Sequence, residues 1–244
     1  MENGVVKKVY SKILGKEVDI WVLCPQEPKA LLYMMHGNGG DCLEWAENTD
    51  LVEQAHKYGL AVVAPDFEDS YCTDTADGRP WFRYLSQEMP ALAEGLLGRS
   101  FAPEKTYIAG ISAGAYGLLK LAFAHPGRYA ACASLSGVTD MAGRIALLPQ
   151  RRLPSFRPIF GEELKIGPEN DVALLTRTAV EAGCTMPVWL ACGTQDSFLE
   201  MNRRYDALLT ELGVEHEYHQ GPGGHEWDFW QRWLAPALQW LLEH

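Results

Sequence analysis

The chain has 244 residues, 47% of them hydrophobic, and a formal net charge of −11. This length and apolar content suit one α/β domain with a large buried core, and the acidic balance argues against nucleic acid and anionic membrane surfaces as partners. The opening MENGVVKKVY has no apolar leader pattern, no run nears the about 18 apolar residues of a spanning helix, and the cysteines at 24, 42, 72, 132, 184 and 192 lack C-x-x-C spacing, so the expectation is a cytoplasmic protein with free thiols and no zinc site.

Val5–Tyr10 and Glu17–Leu23 alternate apolar and polar around Gly15-Lys16, which predicts an antiparallel hairpin. Ala30–Met35 (ALLYMM) is a continuous apolar run typical of a central strand. A glycine-rich loop follows at His36–Gly40, then a helix near Trp45–Tyr58, a strand at Leu60–Ala64 and a polar, aromatic loop over 66–83. Leu85–Leu97 reads as helix, with Pro90 either kinking it or marking a later start. Lys105–Ala109 reads as a buried strand, and 113–125 as a helix buried on most of its circumference, stopping before Pro126.

Ala130–Leu135 is a further strand. Residues 138–170 lose periodicity, carry Pro149, Pro154, Pro158 and Pro168, and read as an insertion or lid. Helix is expected at Val172–Ala182, strand at Val188–Cys192, helix at Phe198–Leu212, strand at Glu215–His219, and a last helix at Trp227–Leu242, broken near Pro236. Alternating strands and helices from residue 30 predict a mostly parallel central sheet with an antiparallel N-terminal edge and helices on both faces.

Residues 110–114, Gly-Ile-Ser-Ala-Gly, join the predicted strand to the predicted helix. This G-x-S-x-G pattern in that setting is a nucleophile elbow; the plainer alternative is a glycine-rich turn with a capping serine. A serine hydroxyl needs a base, and the base an orienting acid, in the chain order serine, acid, histidine. Asp196 lies just past a late strand, where Glu200 and Asp171 compete less well, although it could instead cap the next helix. His225 sits in GPGGHEW before the last helix. His56 and His125 fall on helices, His216 and His219 on a strand, His244 at the terminus, and His36 reads as loop scaffolding. Oxyanion donors are expected from the amide of Ala113 and from the 37–40 loop, Asn38 first and Gly39 second; the alternative for that loop is a plain tight turn.

The blocks HGNGGDCLEW (36–45), SYCTDTADGRPWF (70–82), GISAGAYGLLKLA (110–122), GTQDSFLEMNRRY (193–205) and GGHEWDFW (223–230) together resemble the esterase D / tributyrin esterase group, which includes feruloyl (cinnamoyl) esterases. The resemblance implies the α/β-hydrolase fold, Ser112, Asp196 and His225 as catalytic triad, Asn38 and Ala113 as oxyanion donors, and chemistry without metal or cofactor. The chain departs from the group at Ala113, where methionine is usual, and at Ala115, where glycine is usual, which implies a wider pocket beside the serine. Tyr71, Trp81, Phe82 and Trp227, with Gly39, are candidates for substrate contact, and the alternative for the aromatics is core packing. Arg144, Arg151, Arg152 and Arg157 cluster in the 138–170 segment. Surface ion pairing is their plain reading, and contact with a carboxylate or sugar acid on the substrate is the sharper one.

The expected activity is a serine carboxylesterase acting through an acyl-enzyme on short-chain or aromatic esters of feruloyl or acetyl type. Its expected partner is a small-molecule ester, derived in the more specific guess from plant carbohydrate, with a homo-oligomer left open. An S-formylglutathione hydrolase-like thioesterase and a non-catalytic binding protein of the same fold are the alternatives.

Overall fold

The computed structural model describes residues 3–244; Met1 and Glu2, at the head of the stretch scanned for a leader, lie outside them. The chain opens with β1 (Val5–Ser11) and β2 (Lys16–Leu23), paired antiparallel. Six strands follow: β3 (Ala30–Met35), β4 (Leu60–Pro65), β5 (Thr106–Ile111), β6 (Ala131–Leu135), β7 (Val188–Gly193) and β8 (His216–Gly221). They form one sheet in the order β1-β2-β4-β3-β5-β6-β7-β8, antiparallel up to the β2–β4 pair and parallel beyond it. Every residue of β3 to β7 is buried. That is why these strands are continuous apolar runs, with no polar face to show.

Successive side chains point to opposite faces, so the sheet divides two cores. On one side Trp21, Leu32, Met34 and Val62 pack against α1 (Glu44–Asn48), α2 (Leu51–Tyr58) and α10 (Trp227–Glu243). On the other, Ile20, Tyr33, Val63 and Ile108 meet α3 (Trp81–Arg83), α4 (Met89–Leu97), α5 (Ser112–Ala124), α8 (Val172–Glu181) and α9 (Leu199–Leu212). Helix α5 is buried at every residue from Ser112 to Phe123, Lys120 included. Among the described residues, no helix is long and apolar enough to cross a membrane.

Three local expectations are corrected, and the 138–170 segment gains detail. The helix near 45–58 is two helices, because Thr49 is extended and its hydroxyl caps the second by accepting the Leu51 N–H at 3.2 Å. The helix around Pro90 starts early, at Trp81, and passes through a π-helical turn, Tyr84–Glu88. Pro90 cannot donate to the Ser86 carbonyl four residues back, and the Arg128 guanidinium donates to that carbonyl instead. Pro236 does not break α10, since Pro236 and Arg232, whose carbonyl it leaves unserved, lie on the exposed side where water can serve it. Residues 138–170 contain α6 (Met141–Ala146), α7 (Arg157–Phe160) and two 3-10 turns. Their prolines cut the segment into pieces too short to show a helical period, and it packs on the 66–83 loop through Ala76 N–H to Ile159 O and Asp77 N–H to Pro158 O, both 3.0 Å.

Candidate active site

The carboxyl ends of β5, β7 and β8 bring the site together. Ser112 stands at the junction of β5 and α5 with φ of 52°, a left-handed conformation that is costly for a residue with a Cβ. The flanking glycines let the strained turn press on β3. A Cβ on Gly110 would lie 2.8 Å from the Met35 carbonyl oxygen, and one on Gly114 2.3 Å from that of His36. His36 is 1% exposed, stacks on Phe67 with ring centres 3.7 Å apart, and accepts the Phe67 N–H at Nε2. It is scaffold for this turn.

The Ser112 hydroxyl lies 2.9 Å from His225 Nε2, and His225 Nδ1 lies 2.9 Å from Asp196 Oδ2. The carboxylate beside Nδ1 holds the proton on that nitrogen, which leaves Nε2 free to accept from serine. Asp196 also accepts the Phe198 N–H at Oδ1, 2.9 Å away, so one carboxylate meets the imidazole and caps the turn into α9 together. Burial pushes its carboxyl up, but the hydrogen bond and charge of His225, the Phe198 amide and the Ser136 hydroxyl outweigh burial and hold it below the usual carboxylate range.

Backbone contact sets the meeting of acid and base. Gln195 donates its N–H to Gly223 O at 3.0 Å and accepts the Gly223 N–H at its side-chain oxygen at 2.7 Å. Gly193 lets the strand end and the histidine loop touch, since a Cβ there would be 2.3 Å from Gly223 O. The imidazole is held between two ring edges, Phe198 at 4.8 Å and Trp230 at 5.0 Å. Trp230 Nε1 in turn donates to Ser136 Oγ at 3.1 Å. Gln195, Ser136, Phe198 and Trp230 escape sequence reading because ordinary residue types at those positions reveal nothing until the loops are brought together.

In the loop after β3, three of four consecutive amides are committed. Gly37 donates to Glu44 Oε2 at 2.8 Å, Gly39 to Asp69 Oδ1 at 2.6 Å, and Gly40 to Gly37 O at 3.2 Å. The Asn38 amide carries no hydrogen bond among the described residues. Ala113 is the second residue of α5, where an N–H has no intrahelical partner. The Asn38 and Ala113 amides are thus left as unpaired donors, whereas the Gly39 amide, the second choice in the loop, is held by Asp69.

Residues 11–241 match the family model described as "Putative esterase". The chain belongs to this esterase family. It is a carboxylic ester hydrolase with the α/β-hydrolase fold. It is 28% identical to an acetyl esterase of Caldicellulosiruptor saccharolyticus over 95% of each chain. Among solved structures it superposes on FphF, a fluorophosphonate-binding serine hydrolase of Staphylococcus aureus (23% identity, TM-score 0.90), and on the S-formylglutathione hydrolase FrmB of the same organism (23%, TM-score 0.87), each over 98% of both chains. A ferulic acid esterase matches with TM-score 0.82 at 17% identity over 98% of this chain and 97% of that one.

The aromatics proposed for substrate contact in this esterase separate. Tyr71 has φ of 52° and packs on Tyr116 of α5 and on Phe156 and Phe160 of the 138–170 segment. Burial pushes its hydroxyl up to about 12, with the nearby cations Arg144 and Arg152 pulling the other way. Trp227 is half-buried and meets Trp45 and Trp230 edge-on. Trp81 is core and not pocket: it is 1% exposed, packed on Tyr84 with the Lys16 ammonium over its ring. Phe82 stacks on His125, at the far end of α5 and about 20 Å from the serine by helical rise. Gly39 keeps an open exposed position, with nothing within 4 Å of where a Cβ would stand.

Buried Lys120 ties α5 to both loops. Its Nζ donates to Cys72 O, Thr73 Oγ1 and Asn170 Oδ1 at 3.1, 2.8 and 2.6 Å. Burial pulls the ammonium down to about 7.

Proposed function

We propose that this esterase hydrolyses short-chain acyl esters through a covalent acyl-enzyme on Ser112. The observation that carries the reading is the hydrogen-bonded chain from Ser112 Oγ through His225 to Asp196, on a strained elbow. His225 Nε2 takes the serine proton as Oγ attacks the carbonyl carbon. The oxygen charge that develops is met by the N–H groups of Asn38 and Ala113. The imidazolium, stabilised by Asp196, gives its proton to the leaving alcohol as the C–O bond breaks. Water then attacks the acyl-enzyme, with its proton passing to His225 and from there back to Ser112. No step calls for a metal or cofactor.

A short acyl group is supported by the acetyl esterase relative and by Ser112 being only 9% exposed. Aromatic acyl esters are the wider alternative, with Tyr71 and Trp227 the residues nearest to such a role and Ala113 leaving more room than methionine. The whole chain is read as one catalytic domain, with 138–170 as a lid. The test is Ser112→Ala on p-nitrophenyl acetate, butyrate and octanoate, with fluorophosphonate labelling of the wild type. Loss of kcat by about 10⁴-fold or more and labelling confined to Ser112 are expected; wild-type rates in the variant would sink the assignment. Faster turnover of S-formylglutathione than of every oxygen ester would move the substrate to the thioester class without changing the residues.

A further inference from the structure

Arg144 extends from α6 with its guanidinium carbon 5.0 Å from the centre of the Phe198 ring. Phe198 stands edge-on to His225 at 4.8 Å, so the cation lies within about 10 Å of the imidazole. In this acidic chain Arg79, Arg83, Arg157, Arg177, Arg203 and Arg204 each form an ion pair, whereas Arg99, Arg128, Arg151, Arg152 and Arg232 form none among the described residues. Arg144 forms none among the described residues, and its Nε is buried without a hydrogen-bond partner. The adjacent acid is already used, since Asp140 accepts from Gly143 N–H at 2.8 Å and from Arg204 at 3.0 Å.

Half-burying the donors of a guanidinium unpaired is costly. The ring of Phe198 offsets part of that cost through its face, but it supplies no acceptor for the planar fork. An arginine left in this state beside a reacting centre is a place for an anion.

We propose that Arg144 binds a carboxylate carried by the substrate a few bonds from the scissile carbonyl, so that this esterase prefers anionic esters to neutral ones of the same shape. The inference rests on the triad reading above. The carboxylate can belong to the acyl or the alcohol part, and in either position it meets the guanidinium fork through charge-assisted hydrogen bonds.

The experiment compares two substrate pairs on wild type, Arg144→Gln and Arg144→Lys. p-Nitrophenyl hemisuccinate against its methyl ester places the charge on the acyl side. 3-Acetoxybenzoate against its methyl ester places it on the alcohol side. The expected result is a wild-type preference for the charged member of one pair, which identifies the side. That anionic-to-neutral ratio of kcat/KM falls by roughly 10- to 100-fold in Arg144→Gln, mainly through KM, and recovers in part in Arg144→Lys. Added salt lowers wild-type kcat/KM for the charged member only. A ratio unchanged by Arg144→Gln, with both members falling together or neither falling, would overturn the inference and leave Arg144 as packing for Phe198. No charge preference in wild type, with Ser112 labelled by fluorophosphonate and neutral esters turned over, would overturn this inference alone. Failure of labelling and of every ester would remove the triad reading beneath it.

Discussion

Replacing Gly193 with alanine adds one methyl group where β7 meets the histidine loop. Its carbon would stand 2.3 Å from the Gly223 carbonyl oxygen and 2.8 Å from the Gly223 carbonyl carbon, against an ordinary contact of 3.4 Å or more. Both obstacles are backbone, so the loop must withdraw by about 1 Å. His225 rides on that loop, two residues on. A withdrawal of that size stretches its 2.9 Å contacts with Asp196 and Ser112 past hydrogen-bonding range. A misplacement of about 1 Å costs roughly 100-fold in rate. Gly193→Ala should therefore lose about 100-fold in kcat on p-nitrophenyl acetate. KM should move less, because Ser112 and the Asn38 and Ala113 amides stay in place. Gly95→Ala is the control: its new methyl meets no heavy atom within 4 Å, and it sits inside α4. It should keep the wild-type rate and gain about 0.5–1 kcal/mol of stability. A folded Gly193→Ala enzyme with wild-type kcat would refute the claim that this backbone contact sets the acid–base geometry.

Asp196→Asn should lower kcat by about 10⁴-fold through loss of the correct tautomer; a loss under tenfold would leave Asp196 as a cap for Phe198 alone. Because the Asp196 carboxyl is held below its usual range, its contribution to folding is full above that range and fades as pH falls through the lowered value. The stability gap between wild type and Asp196→Asn, read from urea midpoints, should thus narrow below about pH 4. Lys120 shifts stability with pH in the same direction, through a buried cation that is freed of its charge as pH rises. Its ammonium titrates near 7 when folded and near the ordinary lysine value, about 10.4, when unfolded, so wild-type stability gains as pH rises between the two. From pH 7 to pH 9 the wild type should gain on Lys120→Met by on the order of 2 kcal/mol, and a gap independent of pH would show that Lys120 does not titrate this way. Trp230→Phe keeps a ring edge on His225 but deletes the N–H to Ser136; thermal unfolding should report a loss of about 1 kcal/mol with kcat within a few-fold. A 100-fold loss of kcat would instead make the Trp230–Ser136 bond part of the catalytic geometry.

The strands were legible because burial on both faces leaves an unmistakable apolar run, as in ALLYMM and LAVVA. The elbow was legible because only glycine fits at positions 110 and 114. Prolines misled at two places, since a proline's cost depends on who serves the orphaned carbonyl. At Ser86 that is Arg128, distant in sequence, and at Arg232 it is solvent. The aromatics could not be sorted at all. Trp81 and Trp227 look alike in sequence, and only their exposure, decided by every neighbour at once, separates the buried ring from the half-buried one.

By itself the sequence determined the class of fold, the chain order of serine, acid and histidine, and the esterase family. The first two follow from local periodicity and from steric rules acting over a few residues, and the family from the resemblance carried by five sequence blocks. The tertiary structure alone decided which loop amides remain unpaired, that Gly39 is held by Asp69 while Asn38 is not, that Gln195 and Gly193 lock the histidine loop, and that Arg144 lacks a carboxylate among the described residues. Each of these depends on which groups from distant segments reach hydrogen-bonding or ion-pair range, a property of the packed chain that no local pattern encodes.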